Sequence, residues 1–205
     1  GVGQVGHVAG GPQGDVERWY PPFHRDDPGI ERSLYWESFN TDKRGITLDI
    51  SVPQGKELLL RLVKTCDILI ESFAPGYMAG LGIGFEDLRV INPKLVMVSI
   101  TPFGQCGPYS QYKGTELVAV AMGGVLGNTG YEDRPPVKEA LESTYFHAGC
   151  AGALGALIAY YNAMRGGDGQ HVDVSLQEVA ASRLTSAILA WQFERINLKR
   201  QGDKS

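Results

Sequence analysis

Two short apolar runs, each closed by a turn, constrain the fold most. Residues 67–73 (DILIESF) and 95–103 (LVMVSITPF) are almost continuously apolar, as strands covered on both faces of a parallel sheet are. A helical pattern over residues 85–91 separates them and stops at Asn92 and Pro93. A strand, a helix and a second strand in this order predict parallel strands joined by a right-handed crossover.

The same alternation extends along most of the chain. We expect further strands at residues 45–50 and 171–175, and further helices over 52–66, 115–125, 144–165 and 176–194. The first thirty residues are rich in Gly, Pro and charge, and we predict irregular structure there. The sequence therefore predicts an α/β fold with a Rossmann-like, doubly wound, mainly parallel sheet, in which ligands bind beyond the carboxyl ends of the strands.

Composition excludes several classes of function. A chain of 205 residues with 43% hydrophobic and 20% charged residues is ordinary for a globular domain, and its net charge of −4 offers no basic stripe for nucleic acid. Cys66, Cys106 and Cys150 are widely spaced and form no metal-ligand pattern, so we expect reduced thiols in a cytoplasmic protein and no metal site. No signal peptide is visible. Residues 146–164 are long enough to span a membrane, but their polar and small side chains favour a buried helix.

Local motifs leave alternatives open. GVGQVG at residues 1–6 matches the dinucleotide fingerprint, which would suggest a nicotinamide-dependent dehydrogenase, but no strand precedes it. Lys43 and Arg44 form either a solvated turn or a phosphate contact. The loops at 71–76 and 101–109 follow strands, so each is either a plain connection or part of a ligand site.

Four segments, in order and spacing, resemble the family III CoA-transferases, which include formyl-CoA transferase, carnitine CoA-transferases and α-methylacyl-CoA racemase. They are NTDKRGITLDI (40–50), ESFAPGYMAGLGIGFEDLRVINPKLV (71–96), SITPFGQCGPY (99–109) and GDGQHVDVSLQE (167–178). The resemblance runs from about Asp15 to about Glu194. It implies that residues 1–205 are part of a large CoA-binding domain, truncated at both ends and without the family's smaller domain, and that the family's dimer is interlocked.

The resemblance also implies positions for the site. CoA would contact Leu48, Asp49, Ile50, Ser51, Ser72, Phe73, Ala74, Lys113, Gly114, Thr115 and Glu116. Glu116, at the start of a helix, has a plainer interpretation, which is that it complements the helix dipole. In family transferases an aspartate attacks the thioester and forms an acyl-aspartyl anhydride, and ungapped counting from two flanking motifs puts Tyr145 at that position.

Tyrosine cannot form that anhydride, and a phenol, with a reference pKa of about 10, is a poor nucleophile near neutrality. Glu142 and Glu139 are nearby carboxylates that could substitute, and we select Glu142 with Tyr145 as candidate catalytic residues. The histidine and aspartate of the racemase branch match Thr115 and Tyr145, so racemase activity is disfavoured.

We therefore expect an enzyme that moves CoA from an acyl-CoA to an organic-acid carboxylate, with CoA as substrate and no permanently bound cofactor. The alternative is a non-catalytic CoA-binding subunit that pairs with an active homologue. We expect a homodimer, or a heterodimer with a homologous subunit, and no nucleic-acid or membrane partner.

Overall fold

The computed structural model describes the backbone of residues 6–9 and all atoms of residues 15–202. The GVGQVG motif falls almost entirely outside these residues, since only Gly6 of it is described. The chain divides into two compact units, Gly1–Arg61 and Leu62–Ser205. Each unit is described separately below.

The first unit is built on two parallel strands. Strand β1 (Gly6–Ala9) pairs with β2 (Arg44–Thr47), with Gly6 opposite Arg44. Helix α1 (Leu34–Asn40) lies between them in sequence and is capped by the Ser33 hydroxyl, which accepts from the Trp36 N–H. Helix α2 (Pro53–Val63) begins in this unit.

The first thirty residues differ from the irregular structure that we expected. They contain β1 and two short 3₁₀ turns, Val16–Trp19 and His24–Asp26. A four-residue strand has no periodicity long enough to recognise, and this one is defined by its pairing with β2.

The second unit is a parallel α/β sandwich. Its three strands are β3 (Ile68–Glu71), β4 (Val96–Thr101) and β5 (His171–Ser175), hydrogen-bonded in the order β3-β4-β5. Its helices are α3 (Tyr77–Gly80), α4 (Phe85–Ile91), α5 (Glu116–Met122), α6 (Val125–Asn128), α7 (Ser143–Met164), α8 (Leu176–Ser182) and α9 (Thr185–Leu189), followed by a π-helical turn, Ala190–Glu194. Every described strand pair is parallel, which confirms the predicted α/β class.

Strand β4 carries the core of this unit. Val96 and Val98 are fully buried in a cluster with Ala148, Ala156 and other side chains of α7. Strand β3 is less covered than we expected, because Ile70 remains 57% exposed. Its apolar run correctly indicated a strand, but the prediction of burial on both faces was wrong for β3, which lies at the edge of the described sheet.

Predicted helix boundaries were accurate where the sequence contains strong stop signals. Helix α4 and strand β5 have the predicted bounds, and α7 differs by one residue at each end. The helix expected over residues 115–125 instead ends at Met122 and restarts at Val125, because Gly124 adopts φ +88°. The helix expected over 176–194 is likewise divided, near Arg183.

Helix α7 is the long helix that we weighed as a membrane span. Its buried residues are small or weakly polar: Thr144, Ala148, Gly152, Ala156, Ala159 and Ala163. Within the part of the chain that the structure describes, no helix combines the length and hydropathy that crossing a membrane requires.

Candidate functional site

The start of α5 and the start of α7 meet at a buried carboxylate. Glu116 is the first residue of α5 and only 4% exposed. Its Oε1 accepts from the Thr144 N–H at 2.8 Å, and its Oε2 pairs with Lys138 Nζ at 2.6 Å. The Glu116 N–H in turn donates to the Tyr145 hydroxyl oxygen at 3.2 Å. We call these four residues, Glu116, Lys138, Thr144 and Tyr145, the α5–α7 junction.

The structure thus brings together two of the residues that sequence analysis selected, Glu116 and Tyr145. The dipole interpretation of Glu116 is incomplete, because its carboxylate caps α7 rather than only complementing α5. Tyr145 is 46% exposed, so the phenol ring reaches from α7 towards the backbone of α5 while part of it faces solvent.

Glu142 lies immediately before α7, at its N-cap position. Its carbonyl accepts from the Phe146 N–H at 3.2 Å, and its side chain makes no cap hydrogen bond. Glu142 is half-buried, and within residues 15–202 we find no hydrogen bond or ion pair to its carboxylate.

Glu139, the other neighbouring carboxylate, is engaged. Arg183 NH2 lies 2.5 Å from both of its oxygens, and the Ser143 hydroxyl donates to Oε2 at 2.7 Å. The hydrogen bond from Arg183 is the main reason that the pKa of Glu139 lies below its usual value, and Ser143 lowers this pKa further. Glu139 therefore anchors the start of α7 to the end of α8, where Arg183 is the C-cap.

The other residues of the 113–116 stretch line the approach to α5. Thr115 is the N-cap residue of α5 but makes no side-chain cap bond. Gly114 lies so close to Pro102 and Phe103 that a Cβ would come within 2.7 Å of the Pro102 Cβ. Lys113 is exposed. The loop after β4 is thus packed against this stretch, which favours a structural contribution of the loop.

Ser72, Phe73 and Ala74 follow β3 at its carboxyl end. The Phe73 N–H donates to Glu71 Oε2 at 2.7 Å, and the Phe73 ring lies 5.0 Å from that of Tyr77. Gly76, at φ +85°, provides the left-handed turn into α3 that a side chain would oppose. Ala74 borders a cleft of about 230 Å³ between the sheet and helices α3 and α4.

This cleft contains polar groups that the sequence did not reveal. Ser99 Oγ and His171 Nε2 are hydrogen-bonded at 2.8 Å, and the His171 ring stacks on Phe85 at 5.3 Å. Gln105 also lines the cleft, and its backbone N–H donates to Asp173 Oδ2 at 2.8 Å. Alternation along β4 and β5 places Ser99, His171 and Asp173 on the face opposite α7.

Leu48, Asp49, Ile50 and Ser51 lie in the first unit, in the turn before α2. Leu48 and Ile50 are each 8% exposed, whereas Asp49 accepts from the Ser51 hydroxyl at 2.6 Å and from the Ser51 N–H at 2.9 Å. These bonds, the hydroxyl one first, lower the pKa of Asp49. In the same unit Lys43 Nζ donates to Asn40 Oδ1 at 3.0 Å and borders a second cleft, of about 380 Å³.

Sequence analysis missed Lys138, the cationic partner of Glu116. No local pattern marks it, because the two residues lie far apart in the chain and on different elements. Over the described residues, no group of three or more His, Cys, Asp or Glu side chains is arranged to hold a metal ion.

Comparison with known proteins gives a consistent result. The sequence profile of CoA-transferase family III matches residues 5–205. Over 183 residues the chain is 38% identical to the succinyl-CoA:(R)-benzylsuccinate CoA-transferase subunit BbsE of Thauera aromatica, covering 89% of this chain and 45% of that protein. It is 37% identical over 173 residues to a succinate–glutarate CoA-transferase of Agrobacterium fabrum, covering 84% and 43%.

Solved structures agree with the sequence matches. A CAIB/BAIF family protein from Brucella suis superimposes with a TM-score of 0.90 at 34% identity, covering 98% of this chain and 53% of the other. The chain therefore spans about half the length of the proteins that it matches. Since the profile covers almost all of its residues, the chain belongs to CoA-transferase family III.

Proposed function

We propose that the protein transfers CoA from an acyl-CoA thioester to an organic-acid carboxylate. The observation that carries this proposal is the family match over residues 5–205. The names of the relatives support it, since they combine a CoA thioester with a carboxylic acid: succinyl-CoA with (R)-benzylsuccinate or D-citramalate, and formyl-CoA with oxalate. CoA is then a substrate, and no permanently bound cofactor is required.

In this proposal CoA contacts residues 72–74 and 113–116 in the second unit, and residues 48–51 are separate candidate contacts in the first unit. In the first unit the exposed residues of this turn are Asp49 and Ser51, and in the second unit the carboxyl end of β3 is where an α/β fold places its ligands. The small side chain of Ala74 beside an open cleft leaves room for the narrow pantetheine arm.

In this proposal the nucleophile is a carboxylate rather than the phenol at position 145. Tyr145 has no carboxylate, and its hydroxyl already accepts a hydrogen bond from Glu116. Both carboxylate oxygens of Glu116 are engaged, as are those of Glu139. This leaves Glu142 as the candidate nucleophile beside the junction, because its carboxylate has no partner within residues 15–202 and it occupies the N-cap position of α7.

In this mechanism a Glu142 oxygen attacks the thioester carbonyl carbon and CoA leaves as the thiolate. The enzyme then carries an acyl-glutamyl anhydride. The thiolate attacks the glutamyl carbonyl, which releases the original acid and leaves a glutamyl-CoA thioester. The acceptor carboxylate attacks this thioester to form a second anhydride and free the thiolate. The thiolate then attacks the acceptor's acyl carbonyl, which gives the new acyl-CoA and regenerates the Glu142 carboxylate. Each attack on a carbonyl carbon places negative charge on the carbonyl oxygen. The partial positive charge at the N-terminal end of α7 stabilises that oxyanion.

A second candidate function is a non-catalytic CoA-binding subunit in a hetero-oligomer. Two observations favour it: the engaged phenol at position 145, and the 38% identity to a protein that is itself named as a subunit. On this alternative, a homologous partner supplies the nucleophile. Either function is compatible with a cytoplasmic protein whose cysteines are reduced. Either is also compatible with a dimer, and native mass spectrometry would determine whether that dimer contains one kind of subunit or two.

Mass spectrometry of the protein after incubation with succinyl-CoA, with hydroxylamine or borohydride trapping, tests the transferase proposal. We expect an adduct on Glu142, absent from the Glu142→Gln variant and retained in Glu132→Gln, which alters an exposed carboxylate outside the junction. If CoA binds but neither an adduct nor exchange of labelled CoA occurs, the subunit function is supported instead. In that case Tyr145→Asp, which restores a carboxylate at the family position, should introduce exchange.

A further inference from the structure

The α5–α7 junction contains a cation that no proposed step of the reaction uses. Lys138 lies in the segment before α7, with its side chain 33% exposed, and it pairs with a Glu116 side chain that is only 6% exposed. Burying a carboxylate is costly unless it is paired and hydrogen-bonded. Lys138 therefore provides the charge that allows the Glu116 carboxylate to remain buried between the starts of α5 and α7.

Lys138 also closes the turn that leads into α7. Its Nζ donates to the Leu141 carbonyl at 2.7 Å, and Leu141 has φ +62°, in the left-handed region that non-glycine residues rarely adopt. The Leu141 side chain is 71% exposed, so its own packing does not hold this conformation. A single ammonium group thus links the strained turn to the carboxylate on α5.

Glu116 replaces the cap that α7 lacks. The first N–H groups of a helix have no partner inside the helix, and the N-cap residue, Glu142, contributes no side-chain bond to them. Glu116 Oε1 accepts from the Thr144 N–H instead, at a position that is fully buried. The negative charge of Glu116 also lies at the positive end of the α7 dipole.

Glu116 also holds the Tyr145 side chain, through its backbone amide. While the Glu116 carboxylate binds the Thr144 amide, the Glu116 amide donates to the Tyr145 hydroxyl. Two successive residues of α7 are therefore fixed by one residue of α5. If Glu116 shifts, both contacts are lost together.

We infer that Lys138 is a positioning residue, which holds Glu116 in place and thereby fixes the first turn of α7 against α5. The inference rests on the proposed function in one respect, since it assumes that CoA transfer takes place at the start of α7. A buried ion pair is weak evidence for stability. Its expected effect is on geometry, and hence on turnover.

The test compares the full-length protein with its Lys138→Met, Lys138→Arg and Lys199→Met variants. Lys199→Met is the matched control, because it removes a lysine from an ion pair with Glu132 that is 74% and 63% exposed. One readout is kcat and KM for CoA exchange with succinyl-CoA. The other is hydrogen exchange, followed by mass spectrometry, in the peptide that covers residues 142–147.

We expect Lys138→Met to lower kcat by about 100-fold, as a misplacement of about 1 Å can, while KM for the acyl-CoA stays within about twofold. The rate of hydrogen exchange in residues 142–147 should rise by about tenfold, as loss of a helix cap would produce. Lys138→Arg should restore most of both, and Lys199→Met should change neither. In a Glu116→Gln background, which retains an acceptor for the Thr144 N–H, adding Lys138→Met should have little further effect.

If hydrogen exchange of residues 142–147 is unchanged in Lys138→Met, the inference is overturned, whatever happens to kcat. The inference is also overturned if Lys138→Met lowers kcat as much in the Glu116→Gln background as in the wild type, because the lysine then acts through another group. If the wild-type protein transfers no CoA, the proposed function fails, and the exchange measurements still decide whether Lys138 positions α7. If Lys138→Met does not fold, Lys138→Gln with the Arg variant gives the same comparison.

Discussion

The two faces of α7 differ in the size of their side chains more than in their polarity. The face against the sheet carries Ala148, Gly152, Gly155, Ala156, Ala159 and Ala163, whereas the outer face carries larger apolar residues that are 60 to 67% exposed, namely Leu154, Leu157, Ile158, Tyr161 and Met164. A Cβ at Gly155 would lie 2.7 Å from Val172 Cγ1, so the helix backbone is nearly in contact with β5. The difference shows that close approach of the helix backbone to the sheet, rather than the size of the apolar side chains, determines which face of α7 is buried.

The largest test of this comparison adds bulk to the buried face. We expect Gly155→Leu to lower the free energy of unfolding by at least about 1–3 kcal/mol, because the new side chain must displace Val172 or the helix itself. The matched control is Ala153→Leu, which adds a leucine at an exposed position of the same helix. Urea denaturation of both variants provides the measurement. Equal losses would mean that the close contact does not define the buried face.

The same comparison explains how far the sequence could predict α7. Its length and its small residues predicted a packed helix, and its bounds were correct to within one residue. Its outer leucines and isoleucine could not be assigned a face, since a helix rich in both small and large apolar residues has almost no polar side to mark solvent. The structure distinguishes the two faces by the close contacts of Gly152 with β4 and of Gly155 with β5.

The candidate site was predictable to a smaller degree, for a related reason. Glu116 and Tyr145 could be selected from motifs that occur in the linear sequence. The contact between Glu116 and Tyr145, and the ion pair between Glu116 and Lys138, join residues that are far apart in the chain. No periodicity encodes such pairings. The Ser99–His171 hydrogen bond, which joins neighbouring strands, was hidden for the same reason.

A second test removes a glycine from the open side of α7. Gly149 is exposed, and a Cβ built there would meet nothing within 4 Å. Gly149→Ala should therefore raise the free energy of unfolding by about 1 kcal/mol, the difference in helix propensity between the two residues. At Gly152 a Cβ would lie 3.3 Å from Ile100 Cδ1 and from Val98 Cγ1, so Gly152→Ala should gain less or lose stability. A similar gain at both positions would contradict the proposed difference between the faces.

The start of α7 sharpens the comparison, because polar contacts rather than close packing hold it there. Arg183 lowers the pKa of Glu139 below its usual 4.5, so the ionised form is favoured in the folded state. The resulting stabilisation is complete above pH 4.5 and is lost as the pH falls through the lowered pKa. We expect it to amount to at most about 1 kcal/mol, since the pair is partly exposed.

Urea denaturation of the wild type, Glu139→Gln and Arg183→Met, near pH 7 and again near pH 3, measures this contribution. The stability difference between the wild type and Glu139→Gln should shrink at the lower pH, because the unfolded state takes up a proton at Glu139 before the folded state does. The two variants should also be non-additive, because they remove the same contact. A difference that does not depend on pH would show that the ion pair is not the source of the stabilisation.

The smallest effect is expected on the outer face itself. Leu157 is 60% exposed, so Leu157→Ala removes side-chain surface that is already largely in contact with solvent, while alanine retains a high helix propensity. The free energy of unfolding should change by no more than about 0.5 kcal/mol. Leu154→Ala, at a position that is 62% exposed, should behave in the same way in a urea titration. A loss of several kcal/mol at either position would mean that the outer face is buried in the folded protein, and that close approach to the sheet is only one of two contacts that stabilise α7.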